Sequence, residues 1–144
     1  MKKVTFLIYL FFATVLSVNG QAWMTDLEAA KKVATEQNLK ILLSFQGSDW
    51  CAPCIKLNKE ILENETFVNY AKDHFLMVKA DFPRRKKNKL SDSQQEKNNN
   101  LAEKYNQQGI FPLVVMLNKD GKVLGTTGYK KMSPKEYSTL LSSF

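Results

Sequence analysis

Two cysteines, Cys51 and Cys54, are the residues of this sequence whose type and spacing best fit a chemical reaction. They stand two residues apart in the segment Trp50-Cys51-Ala52-Pro53-Cys54. A thiolate is the nucleophile in disulfide exchange, and a second thiol nearby can resolve the mixed disulfide that forms. A disulfide that closes so short a loop restricts the unfolded chain very little. The spacing therefore indicates a reactive pair rather than a structural staple.

The elements predicted around the pair place Cys51 where a strand ends and a helix begins. Residues 40–46 contain an apolar run of strand length, residues 47–49 break it, and Pro53 suits the first turn of a helix. A helix N-terminus offers unpaired N–H groups and a partial positive charge, both of which favour an anion. We therefore expect a lowered thiol pKa for Cys51, which attacks, while Cys54 resolves the mixed disulfide.

A metal site and an inert structural disulfide are the other two interpretations of this pair. Zinc normally takes four ligands, and the sequence adds only His74, far along the chain. We therefore expect neither a metal nor any cofactor beyond the redox-active disulfide of Cys51 and Cys54. His74 is expected to be an ordinary surface or strand-edge residue, and Trp50 an exposed aromatic wall beside the nucleophile.

The remaining chain predicts an α/β fold with elements in the order helix, strand, helix, strand, helix, strand, strand, helix. The first helix is expected to begin at a capping box of Thr25 and Glu28, and the last helix at a capping box of Ser133 and Glu136. A later helix is expected to run to about Gln107, with Gly109 at its C-terminus. Strands are predicted at 40–46, 75–82, 112–117 and 122–128. The first three are connected through helices and are expected to be parallel, the last two form a hairpin, and helices cover both faces of this mixed sheet.

The segment from Trp50 to Cys54, at a strand-to-helix junction, resembles the active site of the thioredoxin superfamily. Ile110-Phe111-Pro112, just before a strand, resembles the cis-proline loop of that family. The segments Gly47 to Cys51 and Asp81 to Pro83 are similar to those of exported thioredoxin-like domains. The resemblance implies a thioredoxin fold with an extra N-terminal helix over roughly residues 23–144.

The resemblance also implies roles for the site residues. Cys51 would be the attacking thiol, Pro112 would be cis and pack against the disulfide, and the backbone of Phe111 would help to hold an extended substrate segment. The substrate-binding residues that follow from the resemblance are Trp50, Ala52, Pro53, Phe111 and Pro112.

The sequence departs from the common thioredoxin pattern at two positions. Ala52 stands where the common motif has glycine, which predicts a modest effect on reduction potential. Ser44 stands where the family keeps a buried acid that aids proton transfer at the second cysteine. A serine cannot act as that base at neutral pH, so Asp49 or water would have to substitute.

Residues 1–22 have the three-part layout of a secretory signal peptide: Lys2 and Lys3, an apolar run, and small residues after which cleavage would follow Gly20 or Ala22. The apolar run is short for a membrane span, which needs about 20 residues, so a cleaved signal is favoured over the alternative of a retained N-terminal anchor, and no stable span is expected after cleavage. A mature domain over 23–144, exported to the periplasm or the extracellular space, is therefore predicted.

The segment from Arg84 to Lys89 is strongly basic in a chain of net charge +7. It is either a solvated loop or a docking patch for an acidic partner, and no aromatic residues interleave its charges as a nucleic-acid surface would require. The sequence thus favours an exported oxidoreductase, acting as a reductant, that exchanges disulfides with protein substrates and an upstream thiol partner. The alternative is a non-catalytic module that binds proteins through the groove around Pro112.

Overall fold

The computed structural model describes residues 22–144, which form a four-stranded mixed sheet with helices on both faces, as predicted. The strands are β1 (Lys40–Gln46), β2 (Phe75–Asp81), β3 (Leu113–Leu117) and β4 (Val123–Thr127). The helices are α1 (Leu27–Gln37), α2 (Ala52–Leu57), α3 (Glu65–His74), α4 (Asp92–Tyr105) and α5 (Pro134–Ser142). The predicted signal peptide, residues 1–22, lies outside the described residues except for Ala22. None of the helices within 22–144 has the length and apolar character needed to cross a membrane.

The direction of β3 differs from the expectation that the first three strands are parallel. The strand order is β2-β1-β3-β4; β1 and β2 are parallel, but β3 runs antiparallel to β1, with Phe45 opposite Leu113. The reason lies in α4, where the Asn98 amide donates to the Asp81 carbonyl at 2.9 Å. This bond holds the middle of α4 at the carboxyl end of β2, so the chain enters β3 from the end of the sheet at which it left β2.

The central strand β1 is buried on both faces, which explains its nearly continuous apolar sequence. Leu42 packs in a core with residues of α3, α5 and the chain after the cysteines. Ile41, Leu43 and Phe45 point to the other face and pack against α1 and α4. Both cores meet along β1, so the strand that leads to Cys51 is held firmly from two sides.

Two local expectations need correction. The N-cap of α1 is Asp26 and not Thr25, because the Asp26 carboxylate accepts a hydrogen bond from the Ala29 amide at 3.0 Å. Helix α4 ends at Tyr105, and Gly109 lies in the following turn with a φ of 64°. The helix after the cysteines ends at Leu57 and continues as a π-helical segment, Asn58–Leu62, which buries its last two residues.

Candidate active site

The structure joins Cys51 and Cys54 by a disulfide at the start of α2, with an S–S distance of 2.16 Å and a Cα–Cα distance of 5.2 Å. Cys51 is the N-cap of α2, and its Sγ accepts a hydrogen bond from the Cys54 amide at 3.3 Å. Cys51 is 4% exposed and Cys54 only 1%. Cys51 is thus slightly the more exposed residue of the two, and its sulfur faces an N–H donor that would stabilise a thiolate there.

A tight turn after β1 delivers Cys51 to this position. The amides of Trp50 and Cys51 both donate to the Gly47 carbonyl, at 3.3 and 3.0 Å. The Trp50 indole folds back over Gly47, so closely that any Cβ at that position would overlap the ring. Ser48 secures the outer side of the turn, because its amide and hydroxyl both donate to the Asp81 carboxylate, at 2.9 and 2.6 Å.

Trp50 lies beside the disulfide as a half-buried wall, where the sequence predicted an exposed one. Its indole Nε1 donates to the Phe82 carbonyl at 2.7 Å. The Phe111 ring meets Trp50 edge-on at 5.5 Å between centroids and contacts Phe82 at the same distance. The Arg84 guanidinium lies over the indole, 3.6 Å from its centroid. These contacts fix the ring on several sides.

The peptide bond between Phe111 and Pro112 is cis, as the resemblance implied. Pro112 is buried and Phe111 half-buried. The loop before them is held by the side chain of Asn106. Its Nδ2 donates to the Ile110 carbonyl at 2.8 Å, and its Oδ1 accepts from the Ile110 backbone amide at 2.9 Å. Asn106 is 5% exposed. Sequence reasoning missed this residue, and a single asparagine after a helix carries no signal for such a role.

Asp49 does not act as a buried acid near Cys54. Its carboxylate accepts from the backbone amides of Arg84 at 2.9 Å and Arg85 at 3.0 Å, and from the Asn88 side chain at 2.8 Å. These hydrogen bonds, led by the one from the Arg84 amide, lower the pKa of Asp49 to about 2. A carboxylate so acidic is a poor proton acceptor at neutral pH. Asp49 instead fastens the loop after β2 to the turn that leads to Cys51.

Ser44, the residue aligned with the family's acid, is 1% exposed in the middle of β1. Its hydroxyl oxygen has no hydrogen-bond partner among residues 22–144. Two residues further along β1, the Gln46 side-chain oxygen accepts a hydrogen bond from the Asn58 side-chain amide at 2.5 Å. Residues 44–46, the end of β1 that leads to the cysteines, therefore offer uncharged polar groups only.

The two remaining predicted site residues, Ala52 and Pro53, lie beside the cysteines, whereas His74, expected to be an ordinary surface or strand-edge residue, lies far from them. Ala52 and Pro53 are exposed in the first turn of α2, next to the cysteines. His74 is exposed at the end of α3, where its Nδ1 lies 2.7 Å from the Tyr70 carbonyl oxygen. This is the opposite end of the sheet from Cys51, since Phe75 pairs with Lys40. No group of three His, Cys, Asp or Glu within 22–144 is placed to hold a metal ion.

Residues 22–119 match the family model described as thioredoxin-like. The chain belongs to this thioredoxin-like family. It is 34% identical to the disulfide bond reductase DsbH of Chlamydia pneumoniae over 121 residues, which cover 84% of this chain and 70% of the relative. The chain is also 35% identical over 60 residues to the thioredoxin-related protein DsbJ of the same organism. Those residues span 17% of that relative.

Solved structures show the same fold. A DsbH oxidoreductase superposes with a TM-score of 0.76 at 30% identity, covering 86% of this chain and 85% of that one. A disulphide isomerase from Xylella fastidiosa Temecula1 gives a TM-score of 0.60 at 26% identity, covering 81% and 86%. The fold is therefore a thioredoxin fold, and the chain, with its Cys51–Cys54 disulfide, is a thioredoxin-like oxidoreductase.

Proposed function

We propose that this protein is an exported dithiol reductant that reduces disulfide bonds of other proteins in the periplasm. The observation that carries the proposal is the pair itself: Cys51 caps α2 with its sulfur facing the Cys54 amide, and Cys54 lies within bonding distance. The name of the DsbH relative supports the direction of the reaction, and the layout of residues 1–22 supports export.

The reaction follows from this geometry. In the reduced protein, the Cys51 thiolate attacks one sulfur of a substrate disulfide, forming a mixed disulfide and releasing the other substrate sulfur as a thiolate. Cys54 then attacks the Cys51 sulfur, which forms the Cys51–Cys54 bond and releases the second substrate thiolate. The substrate gains two electrons, the protein loses two, and an upstream thiol donor must return them.

The cis-proline loop supplies the surface on which the substrate would lie. Phe111 and Pro112 approach the site through the contact between Phe111 and Trp50, and Asn106 fixes the loop from behind. An extended substrate segment would run along the backbone at Phe111 with Trp50, Ala52 and Pro53 flanking its cysteine. A backbone held by side chains from several elements is preorganised for binding, which lowers the entropy lost on association.

The two single cysteine variants test the catalytic proposal as a matched pair. Both Cys51→Ser and Cys54→Ser lose the same disulfide, so a difference between them reports on chemistry and not on stability. We expect Cys54→Ser to accumulate a mixed disulfide with insulin, seen by mass spectrometry, because the Cys51 thiolate attacks an insulin disulfide and no second thiol resolves the product. Cys51→Ser should form none and should lose insulin reduction. Insulin reduction at the wild-type rate by Cys51→Ser would refute the proposal.

A second measurement tests the direction. Equilibration with glutathione or dithiothreitol gives the reduction potential of the Cys51–Cys54 couple. A value near −270 mV is characteristic of thioredoxin, whereas about −120 mV is characteristic of a strong oxidant. We expect a value toward the thioredoxin end, and a value near the oxidant end would contradict the reductant role.

The alternative, a non-catalytic module that binds partners through the Pro112 groove, is favoured by one observation. Ser44 supplies no acid beneath the cysteines, and Asp49 is occupied by the loop after β2. This hypothesis predicts that the cysteine variants bind partners as the wild type does and that the wild type exchanges no disulfides. The same pair of variants therefore separates the two functions.

A further inference from the structure

A depression of about 420 Å³ lies against Trp50 and Phe111, the residues that precede Cys51 and the cis-proline in the chain. Aromatic rings form much of its lining, and a cation stands at its edge. The residues around it are Trp50, Phe82, Pro83, Arg84, Gln95, Gly109 and Phe111. Because Trp50 precedes Cys51 in the chain and Phe111 precedes Pro112, this depression is continuous with the surface on which a substrate cysteine must lie.

Most of the cationic side chains at its edge form no ion pair within the described residues. Residues 84–89 carry five cationic side chains, and all six residues are exposed. Within 22–144, the only one of these that forms an ion pair is Lys89, with Asp92 at 3.3 Å. The negative charge of Asp49 attracts Arg85, but the Asp49 oxygens accept hydrogen bonds from backbone amides and the Asn88 side chain. The Arg84 guanidinium has the indole of Trp50 beneath it and forms no ion pair with any acid within 22–144.

The basic loop, residues 84–89, is built into the rim of the site. Asp49 anchors it by two hydrogen bonds at its beginning and a third from the Asn88 side chain, and Lys86–Asn88 form a 3-10 turn that closes it. The Arg84 guanidinium lies over the indole, 3.6 Å from its centroid, so its position is defined relative to Trp50 and hence to Cys51. A cation fixed at the edge of a binding surface discriminates partners by charge, whereas a freely moving one is largely screened.

We propose that this rim selects substrates by charge: the segment around the reactive substrate cysteine carries an acidic side chain that lies against Arg84 in the depression. The inference rests on the proposed function and names its substrate class. The aromatic lining can pack against the backbone and apolar groups of an extended peptide, and the Arg84 guanidinium can donate hydrogen bonds to a carboxylate. A peptide segment is the occupant that the location favours, since the depression shares Trp50 and Phe111 with the surface next to the cysteines.

Three synthetic peptides test the proposal. Each has one central cysteine joined to a neutral 2-thiopyridyl group, and the flanking positions hold two Asp, two Asn or two Lys. Reduced protein attacks the peptide sulfur and releases pyridine-2-thione; Cys54 then releases the peptide thiol as the protein disulfide closes. For the wild type at low salt, we expect the Asp peptide to react about fivefold faster than the Asn peptide, the ratio equivalent to ~1 kcal/mol. The Lys peptide should react most slowly, and high salt should reduce the differences.

Paired charge variants supply the control. The double variant Arg84→Gln/Lys86→Gln should bring the Asp-to-Asn ratio close to one, whereas Arg84→Lys should keep most of it. Lys119→Gln/Lys122→Gln removes the same net charge from the β3–β4 hairpin, which lies at the far end of the sheet, and should keep the wild-type ratio. Because each ratio is taken within one variant, a general loss of activity does not affect it.

The outcomes separate this inference from the proposed function. Equal rates for all three peptides with the wild type, or equal ratios in both double variants, would overturn charge selection while leaving the reductase intact. Co-sedimentation of the wild type with phosphatidylserine vesicles, together with equal peptide rates, would make the basic loop a lipid-binding surface and would also overturn it. If no peptide is reduced, the proposed function fails. The same three peptides, with serine in place of cysteine, are then tested for binding to the oxidised protein. Tighter binding of the Asp peptide than of the Asn peptide would support charge selection by itself, and equal binding would overturn it.

Discussion

Gly47 is the residue whose replacement should test the architecture of the site most sharply. A Cβ added there would overlap the Trp50 indole. The indole cannot move aside freely, because its Nε1 is bonded to the Phe82 carbonyl at 2.7 Å and Arg84 lies over the ring. The variant Gly47→Ala must therefore displace Trp50 or distort the turn that leads to Cys51.

The expected cost can be worked from these contacts. Overpacking a well-packed site costs about 1–3 kcal/mol. Loss of the hydrogen bond from Trp50 to Phe82 adds about 0.5–1.5 kcal/mol. The backbone of Gly47 does not have a positive φ, so alanine meets no conformational strain of its own. We therefore expect Gly47→Ala to lower the free energy of unfolding by about 2–4 kcal/mol and to slow substrate reduction.

A double-mutant cycle with Trp50→Ala isolates the cause. Without the indole, the added methyl group has room, and the substitution restricts the unfolded chain. Gly47→Ala should then stabilise the protein by about 0.4–1 kcal/mol, so that its effect changes sign between the two backgrounds. Urea unfolding of the four oxidised proteins measures this. Equal destabilisation by Gly47→Ala in both backgrounds would refute the role assigned to the Trp50–Gly47 contact.

Three further predictions concern single polar residues. Asn106→Ala should lower the free energy of unfolding by about 1–3 kcal/mol, because both hydrogen bonds to Ile110 are lost, whereas Asn100→Ala on the exposed face of α4 should change it by less than ~0.5 kcal/mol in urea unfolding. Equal effects of these two variants would contradict the anchoring role of Asn106. Folding lowers the pKa of Asp49 to about 2, so its carboxylate should hold the basic loop fully above pH ~4 and progressively less down to pH ~2. The NMR shifts of the Arg84 and Arg85 backbone amides should follow this titration in the wild type and should not titrate in Asp49→Asn. A midpoint at or above pH ~4 would contradict the hydrogen bonds assigned to the Asp49 carboxylate. Ser44→Ala should leave thermal stability unchanged or raise it by the equivalent of about 1 kcal/mol, because a buried hydroxyl without a protein partner is removed, and a clear loss of stability would show that this hydroxyl is hydrogen-bonded.

The features that the sequence predicted correctly depend on local signals. The apolar run of β1, the proline in the first turn of α2, and the spacing of Cys51 and Cys54 each act over a few residues. They sufficed to place the disulfide at a strand-to-helix junction inside an α/β fold. The capping box of α5 is local in the same way, with Ser133 and Glu136 bonded reciprocally as predicted.

What could not be predicted depends on partners that are distant in the chain. The carboxylate of Asp49 finds the amide of a residue 35 positions away, and Asn98 finds the Asp81 carbonyl. Which backbone groups remain unpaired at a loop is known only once the elements have packed, so a lone Asp or Asn carries no sequence signal for such bonds. The direction of β3 was missed for this reason, and so was the role of Asp49.

The proposed reaction requires that Cys51, at the start of α2, is the thiol that ionises more readily. Alkylation of the reduced protein by iodoacetamide across a pH series, with the modified cysteine identified by mass spectrometry, measures this directly. We predict that Cys51 is modified first and that its rate rises with a midpoint below the free-thiol value of about 8.5. A midpoint at or above that value, or preferential modification of Cys54, would contradict the mechanism.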